Sequence, residues 1–203
     1  MENLEIEVKF YLTDIQSVRN RIVELGAKNT GRVFETNIRF DDTENSLFRK
    51  QSLLRLRRNT KTTLTFKCEP SEKDNQFKML REFEVEVSDF AAMQRVLGHL
   101  GFHQVQIYEK WRETFLYNAT TLCLDTMPFG DFLEIEGPKE DIRSNASAIG
   151  LDWDKRIILN YLAIFDIIRH QLDLPYQDVT FENFKNTTID LDKYRYLIEV
   201  DSA

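Results

Sequence analysis

The sequence lacks the marks of several large protein classes. No apolar run approaches the roughly 20 residues that a membrane-spanning helix needs, and no signal-peptide pattern follows Met1. Two cysteines occur, Cys68 and Cys123, and their spacing is not that of a metal site. We therefore expect reduced thiols and a cytoplasmic protein that does not interact with membranes.

Histidine is also scarce, and acidic residues outnumber basic ones. The three histidines fall in or beside predicted helices, where we expect packing or surface roles. No Gly-x-x-x-x-Gly-Lys motif occurs, which excludes a P-loop nucleotidase. The net charge of −7 argues against a general nucleic-acid binder, because phosphate contacts need a basic surface. The 42% of apolar residues is enough to bury a core, so a folded enzyme domain is expected.

The sequence does contain segments in which charged and apolar residues alternate. In residues 5–10 the odd positions are Glu5, Glu7 and Lys9 and the even positions are apolar, which indicates a half-buried strand. Two carboxylates spaced two residues apart on a strand lie roughly 7 Å from each other. They repel by roughly 2 kcal/mol at an effective dielectric near 20. A solvated strand face tolerates this, so the segment alone does not indicate a site.

The same alternation recurs, with the two signs of charge on different strands. Acidic segments follow around Glu82, Glu84 and Glu86 and at Glu134 and Glu136, and basic residues occur at Arg55, Arg57, Lys67, Lys110 and Arg112. A sheet that needs only solubility mixes both signs on each face. If these faces point into a closed barrel, the acidic strands need cations and the basic strands need a polyanion. A metal–polyphosphate complex satisfies both needs.

The chain is predicted to form two similar halves that each begin with a strand and a helix. The strand–helix pairs are 4–11 with 14–25, and 82–87 with 89–100. Three more strands follow in each half, at 32–41, 52–59 and 62–68, and at 104–117, 120–127 and 131–137. We predict an α+β fold, an eight-stranded antiparallel β-barrel with helices packed outside.

The C-terminal third is predicted to be helical. Helices at 139–149 and 155–172 are expected to pack against the barrel, with Pro175 ending the second. Tyr194, Tyr196, Ile198 and Val200 then recur at every second position. This pattern leaves two alternatives open, an edge strand or pairing with another chain in a homodimer.

The ordered charged motifs resemble those of the CYTH superfamily, also called triphosphate tunnel metalloenzymes. Its hallmark is Glu-x-Glu-x-Lys near the N-terminus, present here as residues 5–9, and residues 129–137 resemble its penultimate hairpin. The other motifs fall in the family's order: Arg55-x-Arg57, Lys67, Lys110-x-Arg112, Asp125 and Glu134-x-Glu136. The resemblance covers roughly residues 1–184, which we expect to be the tunnel domain with its C-terminal helices. Residues 185–203 are expected to be an extension of unknown role.

The resemblance implies a set of site residues. The ligands of Mg²⁺ or Mn²⁺ would be Glu5, Glu7, Glu134 and Glu136, on first and last strands that become neighbours when the barrel closes. The phosphate clamp would comprise Lys9, Arg55, Arg57, Lys67, Lys110 and Arg112, in which arginine binds phosphate in a bidentate manner and lysine as a point charge. Lys9, Glu84 and Asp125 are the candidate catalytic residues.

Three structural alternatives stay open for these carboxylates. One acidic pair of the metal set could form ion pairs with facing arginines instead. Glu84, together with Glu82 or Glu86, could help to bind a second metal or could orient basic side chains. Asp125 could position a metal or water, or it could form an ion pair with a clamp residue.

The superfamily includes thiamine triphosphatases, inorganic triphosphatases and class IV adenylate cyclases. The expected function is therefore metal-dependent hydrolysis of a small-molecule triphosphate, whether inorganic, thiamine or nucleoside triphosphate, inside a charged tunnel. The first alternative is a class IV adenylate cyclase that converts ATP to cyclic AMP and pyrophosphate. The second is a non-catalytic polyphosphate- or nucleotide-binding module, which the intact carboxylate set disfavours, because a pure binder needs only the basic strands.

Overall fold

Eight antiparallel strands close into a ring in the computed structural model, which describes residues 4–72 and 74–200. The strands are β1 (Leu4–Leu12), β2 (Lys28–Asp41), β3 (Leu53–Arg58), β4 (Thr62–Cys68), β5 (Lys78–Val87), β6 (His103–Tyr117), β7 (Thr120–Met127) and β8 (Gly130–Glu136). Their order around the ring is β1-β5-β4-β3-β2-β6-β7-β8, and β8 pairs with β1. The predicted eight-stranded barrel is confirmed.

The first strands of the two halves exchange places in this ring. β1 lies between β5 and β8, and β5 lies between β1 and β4. The three acidic strands β8, β1 and β5 are therefore adjacent, and we call them the acidic sector. The strands that carry the predicted clamp arginines, β3 and β6, flank β2 on the far side of the ring.

Four longer helices surround or cover the ring: α1 (Ile15–Glu24), α3 (Phe90–His99), α4 (Lys139–Ile149) and α5 (Tyr161–Leu172). The described residues also form two single-turn helices, α2 (Ser46–Arg49) and α6 (Phe181–Phe184), and 3₁₀ turns at Trp153–Lys155 and Leu191–Leu197. None of the helices within the described residues is long and apolar enough to cross a bilayer.

The apolar halves of the alternating strands face outwards. Val8 and Phe10 of β1 and Ile135 of β8 form one core cluster with residues of α1 and α4, such as Ile22. Leu56 of β3 forms a second cluster with α3. Because strand side chains alternate, this outer packing turns the charged residues of the same strands into the ring.

One end of the ring interior is apolar. Tyr11, Tyr108 and Phe132 have the same strand parity as the charged residues but pack in a cluster with Tyr161 and Phe165 of α5. The α5 helix thus lies across this end of the ring rather than on its outer face. The pairing of β1 with β5 ends at Glu7 and Lys78, and beyond it the backbone of residue 157 pairs with that of residue 9 through hydrogen bonds of 2.9 and 2.7 Å.

The predicted C-terminal elements need two corrections. The helix predicted at 155–172 begins at Tyr161, because the preceding residues pair with β1 and the Asn160 side chain accepts a hydrogen bond from the Ala163 amide at 2.9 Å. It ends at Leu172, before Pro175. The edge strand considered for 194–200 is not formed, since 191–197 are a 3₁₀ turn whose flanking apolar residues are buried in the α5 cluster.

Gly137 holds the end of β8 against β1. Its amide donates to the Ile6 carbonyl at 3.1 Å, its φ is +152°, and a Cβ there would lie 2.9 Å from the Ala119 carbonyl oxygen. Gly101, after α3, has φ +90° but open space around it.

Gly101→Ala should lower the free energy of unfolding by about 1–2 kcal/mol, because of backbone strain alone. Gly137→Ala should lower it clearly more, because the added Cβ would also collide with neighbouring atoms. Chemical denaturation of both variants tests this, and equal losses would contradict the packing at Gly137.

Candidate functional site

The inward charged side chains line a cavity of about 1140 Å³ inside the ring. It brings together every predicted metal ligand, every predicted clamp residue and Glu84, namely Glu5, Glu7, Lys9, Arg55, Arg57, Lys67, Glu84, Lys110, Arg112, Glu134 and Glu136. Lys9 and Glu134 are distant in sequence but meet here because β8 closes on β1. Asp125 lies behind the cavity wall, fully buried and in contact with the clamp.

In the acidic sector, lysine side chains alternate with carboxylates. Glu7 accepts hydrogen bonds from Lys9 and, at 2.5 Å, from Lys78, and the Lys9 ammonium lies 3.0 Å from Glu134. Burial and the nearby Glu134 raise the pKa of Glu7, but the two ammonium groups outweigh them and lower it to about 2. Glu7 is therefore held in the ionised form.

Glu136 is the exception in this sector. Among the residues that the structure describes, it has no cation within ion-pair distance, and its β1 neighbour in register is Glu7. Burial, Glu5, Glu134 and Glu7 together raise the pKa of Glu136 to about 7. Burial and Glu7 also raise the pKa of Glu5, against the lowering effect of Lys67. The carboxylates of this sector are thus under mutual repulsion that the lysines only partly relieve.

The clamp residues of β3, β4 and β6 form the basic sector, and carboxylates of β2 and β5 lie next to several of them. Arg57 donates to Glu84 at 3.0 Å, and Arg55 donates to Thr65 at 3.2 Å and to the Tyr108 hydroxyl at 3.3 Å. Lys67 joins the two sectors, since its ammonium lies 2.5 Å from Glu5 and 3.3 Å from Glu82. Glu86, by contrast, is exposed and pairs with Lys61 away from the cavity.

Asp125 is saturated by donors. It accepts from Lys110 at 3.0 Å, from Arg112 at 2.7 and 2.5 Å, and from the Tyr161 hydroxyl at 2.8 Å. Arg112 also donates to Glu134 at 2.9 Å. The geometry matches the ion-pair alternative for Asp125, in which the carboxylate fixes two clamp side chains and α5 contributes the hydroxyl.

Sequence reasoning missed four residues of this network: Glu35, Lys78, Tyr108 and Tyr161. Glu35 is buried, and its carboxylate lies 3.7 Å from the Lys110 ammonium and 4.0 Å from the Arg57 guanidinium. Burial raises the pKa of Glu35, but Lys110 and Arg112 lower it to about 2. The alternation of Glu35, Asn37 and Arg39 within β2 was a usable signal for it, whereas Tyr161 lies on a helix with no such pattern.

A divalent cation fits the acidic sector by the chemistry of its donors. Hard cations prefer carboxylate oxygens, and Glu136 is a partly buried carboxylate with no cationic partner among the described residues. Within those residues no group of three potential ligands is arranged for metal binding. The ammonium groups of Lys9, Lys67 and Lys78 are bound to the other carboxylates instead.

Glu136→Gln should stabilise the protein in a pH-dependent way. Because the folded-state pKa of about 7 exceeds the ordinary value near 4.5, folding takes up a proton and the stability of the wild type falls as pH rises between these values. Each unit of pKa shift corresponds to about 1.4 kcal/mol. The variant should melt several degrees above wild type at pH 8 and much closer to it at pH 5. Glu24→Gln, on the exposed end of α1, serves as control. A pH-independent difference would contradict this account.

The chain is similar to proteins of three other organisms. A protein named "Putative adenylate cyclase" from Methanocaldococcus jannaschii is 27% identical over 141 residues, 68% of this chain and 79% of that protein. The solved structure of a "putative adenylate cyclase" from Vibrio parahaemolyticus superposes with a TM-score of 0.72 at 18% identity, covering 82% of this chain and 99% of that one. A Hippeastrum structure, of a "putative adenylyl cyclase" with a dominant triphosphatase activity, has a TM-score of 0.51 at 18% identity and covers 91% and 97%.

The two structural similarities show a shared fold. The CYTH domain family itself matches residues 3–150, which include all eight strands and α4. The matched segment carries every charged residue of the two sectors, and the chain belongs to the CYTH domain family.

Proposed function

We propose that the protein is a metal-dependent hydrolase that binds a triphosphate substrate inside the charged ring. The observation that carries the proposal is the interleaving of cations and carboxylates, in which each clamp residue is within reach of a carboxylate of the cavity or its wall. A polyanion can displace the carboxylates from these cations, and the freed carboxylates then need new cations. The family includes triphosphatases and adenylate cyclases, which supports an enzyme of triphosphate chemistry.

The clamp would stretch the triphosphate across the cavity. Arg55 and Arg57 would exchange their present partners on β5 for phosphoryl oxygens, as guanidinium forks suit tetrahedral oxyanions. Lys110 and Arg112 are less free, because Asp125 and the Tyr161 hydroxyl hold them in place. Phosphoryl transfer requires positioning and charge neutralisation more than covalent chemistry, and a pre-oriented clamp supplies both.

The metal set would be Glu5, Glu7, Glu134 and Glu136, with Mg²⁺ or Mn²⁺ as the cation. When bound there, such an ion would neutralise phosphoryl charge and favour ionisation of an attacking water. Lys9 and Lys67 would leave these carboxylates as phosphate enters, and Lys9, buried among them, would remain beside the reacting phosphate. Glu84 would be released by Arg57 and become available for a second cation or for water.

Hydrolysis is preferred over cyclisation because it needs only water and the charged ring. Cyclisation also requires a pocket that bends a ribose over the α-phosphorus, and no described residue can be assigned that task. The adenylate cyclase alternative is kept because the relatives from M. jannaschii and V. parahaemolyticus carry that name. The binding-module alternative is disfavoured by Glu136, because a polyanion receptor does not need a carboxylate that lacks a cationic partner among the described residues.

The direct test is a product assay with inorganic triphosphate, which has neither base nor ribose. With Mg²⁺ or Mn²⁺ the protein should release orthophosphate, and Glu134→Gln should lower turnover by about 100-fold or more. Glu86→Gln, outside the cavity, should remain active. Inertness towards inorganic triphosphate, together with cyclic AMP and pyrophosphate from ATP, would replace the hydrolase by the cyclase.

Triphosphate and metal should bind cooperatively. Triphosphate without metal should raise the melting temperature by several degrees, since ligand at 100 times its Kd stabilises by about 2.7 kcal/mol. Mn²⁺ should bind more tightly once triphosphate has released the carboxylates, and the coupling must be reciprocal. Calorimetric titration in both orders measures it.

The neighbouring residues Arg57 and Arg58 provide a test variant and its matched control for the thermal shift with triphosphate. Arg57 faces the cavity, whereas Arg58 lies outside over the Phe90 ring. Arg57→Ala should lose most of the thermal shift with triphosphate, and Arg58→Ala should keep it. Independent binding of metal and triphosphate would contradict the exchange of partners.

A further inference from the structure

The segment of residues 42–52, which we call the Phe48 turn, projects a phenylalanine at the mouth of the cavity. Phe48 is 63% exposed and lines the same cavity as Arg55 and Arg57. Among the described residues, the other aromatic side chains with comparable exposure, such as Phe83 and Tyr196, do not line it. An exposed aromatic ring beside a phosphate clamp is the arrangement that stacks a planar group of a ligand.

The turn is built to hold this position. Asp41, 1% exposed, accepts hydrogen bonds from the Leu47 amide at 3.0 Å and the Phe48 amide at 2.9 Å. Leu47 packs into the core cluster under α3, so its neighbour Phe48 is turned outwards. The backbone is also held in an unfavourable form, because Asn45 and Gln51 have φ of 54° and 50°. Non-glycine residues held in the left-handed region cluster at ligand-binding sites.

Phe48 is connected to the clamp through one side chain. Arg39 lies directly opposite Arg55 in the β2–β3 register, and its guanidinium is 5.4 Å from the centre of the Phe48 ring. Gln51 and Glu69 also line the cavity, with the Gln51 side-chain amide beside the Glu69 carboxylate. The clamp, Arg39 and Phe48 thus form one continuous wall, with the positive charge on the phosphate side and the ring beyond it.

We propose that Phe48 is a stacking subsite for the nucleobase of a nucleoside triphosphate whose phosphates lie on the clamp. The inference rests on the proposed binding of triphosphates in the ring and narrows the substrate class. A cavity of about 1140 Å³ exceeds the size that a bare triphosphate needs and is sufficient for a drug-sized ligand. The guanidinium of Arg39 disfavours a cationic ring such as a thiazolium at this position, so a neutral base is the better fit.

The test measures binding of hydrolysis-resistant methylene analogues of ATP and of inorganic triphosphate, so that it does not depend on turnover. Phe48→Ala should weaken binding of the ATP analogue by about 5- to 30-fold and change the affinity for the triphosphate analogue by less than twofold. Phe48→Trp should retain the affinity for the ATP analogue, and its added fluorescence should be quenched by that analogue but not by triphosphate. Phe83→Ala, an exposed phenylalanine on β5 outside the cavity, is the matched control and should change neither.

Two results would overturn the stacking subsite. One is an unchanged affinity of Phe48→Ala for the ATP analogue, and the other is an equal loss for both analogues, which would indicate a general effect on the clamp. If wild type binds the triphosphate analogue but hydrolyses no triphosphate, the proposed activity fails while the binding comparison stays valid. If wild type hydrolyses triphosphate but Phe48→Ala shows no selective loss of affinity for the ATP analogue, only the stacking subsite is wrong.

Discussion

Buried charges inside the ring must be neutralised, and this requirement organises the rest of the molecule. A charge removed from water without a partner costs several kcal/mol, yet the strands of this protein turn both signs inwards. The exchange of β1 and β5 between the two halves makes the acidic strands adjacent, and Lys67 then connects them to the basic side through Glu5 and Glu82. The pairs make the ligand-free ring stable, and the same pairs can be exchanged for phosphate and metal, which ties stability to the proposed function.

The C-terminal helix completes this arrangement from one end. The α5 helix lies across the ring, fills this end with an aromatic cluster and brings the Tyr161 hydroxyl to Asp125. Asp125 accepts from Lys110, Arg112 and Tyr161, so Lys110 and Arg112 are held in place while the clamp residues on β3 have looser partners. The structure therefore divides the clamp into a fixed side and an adaptable side.

The sequence predicts the ring well because outward apolar and inward charged residues alternate in nearly every strand. The prediction of strands and inward residues fails where this alternation stops. The start of β5, including Lys78, was missed because the inward position 80 is a leucine. An amphipathic helix reveals that one face is buried but not against which surface, so the position of α5 inside the ring end could not be predicted. The spacing of Tyr194 and Tyr196 is that of a strand, but ion pairs of Arg195 with Asp192 and Glu199 stabilise a helical turn instead.

The central claim is that the carboxylates of the acidic sector exchange their lysine partners for a divalent cation when a triphosphate enters. A crystal structure with Mn²⁺ and the methylene analogue of triphosphate tests it most directly, because manganese is located by its anomalous scattering. The account predicts a manganese peak between Glu5, Glu7, Glu134 and Glu136, with the ammonium groups of Lys9 and Lys67 moved onto phosphoryl oxygens. Unchanged lysine–carboxylate pairs, with manganese bound elsewhere, would contradict it.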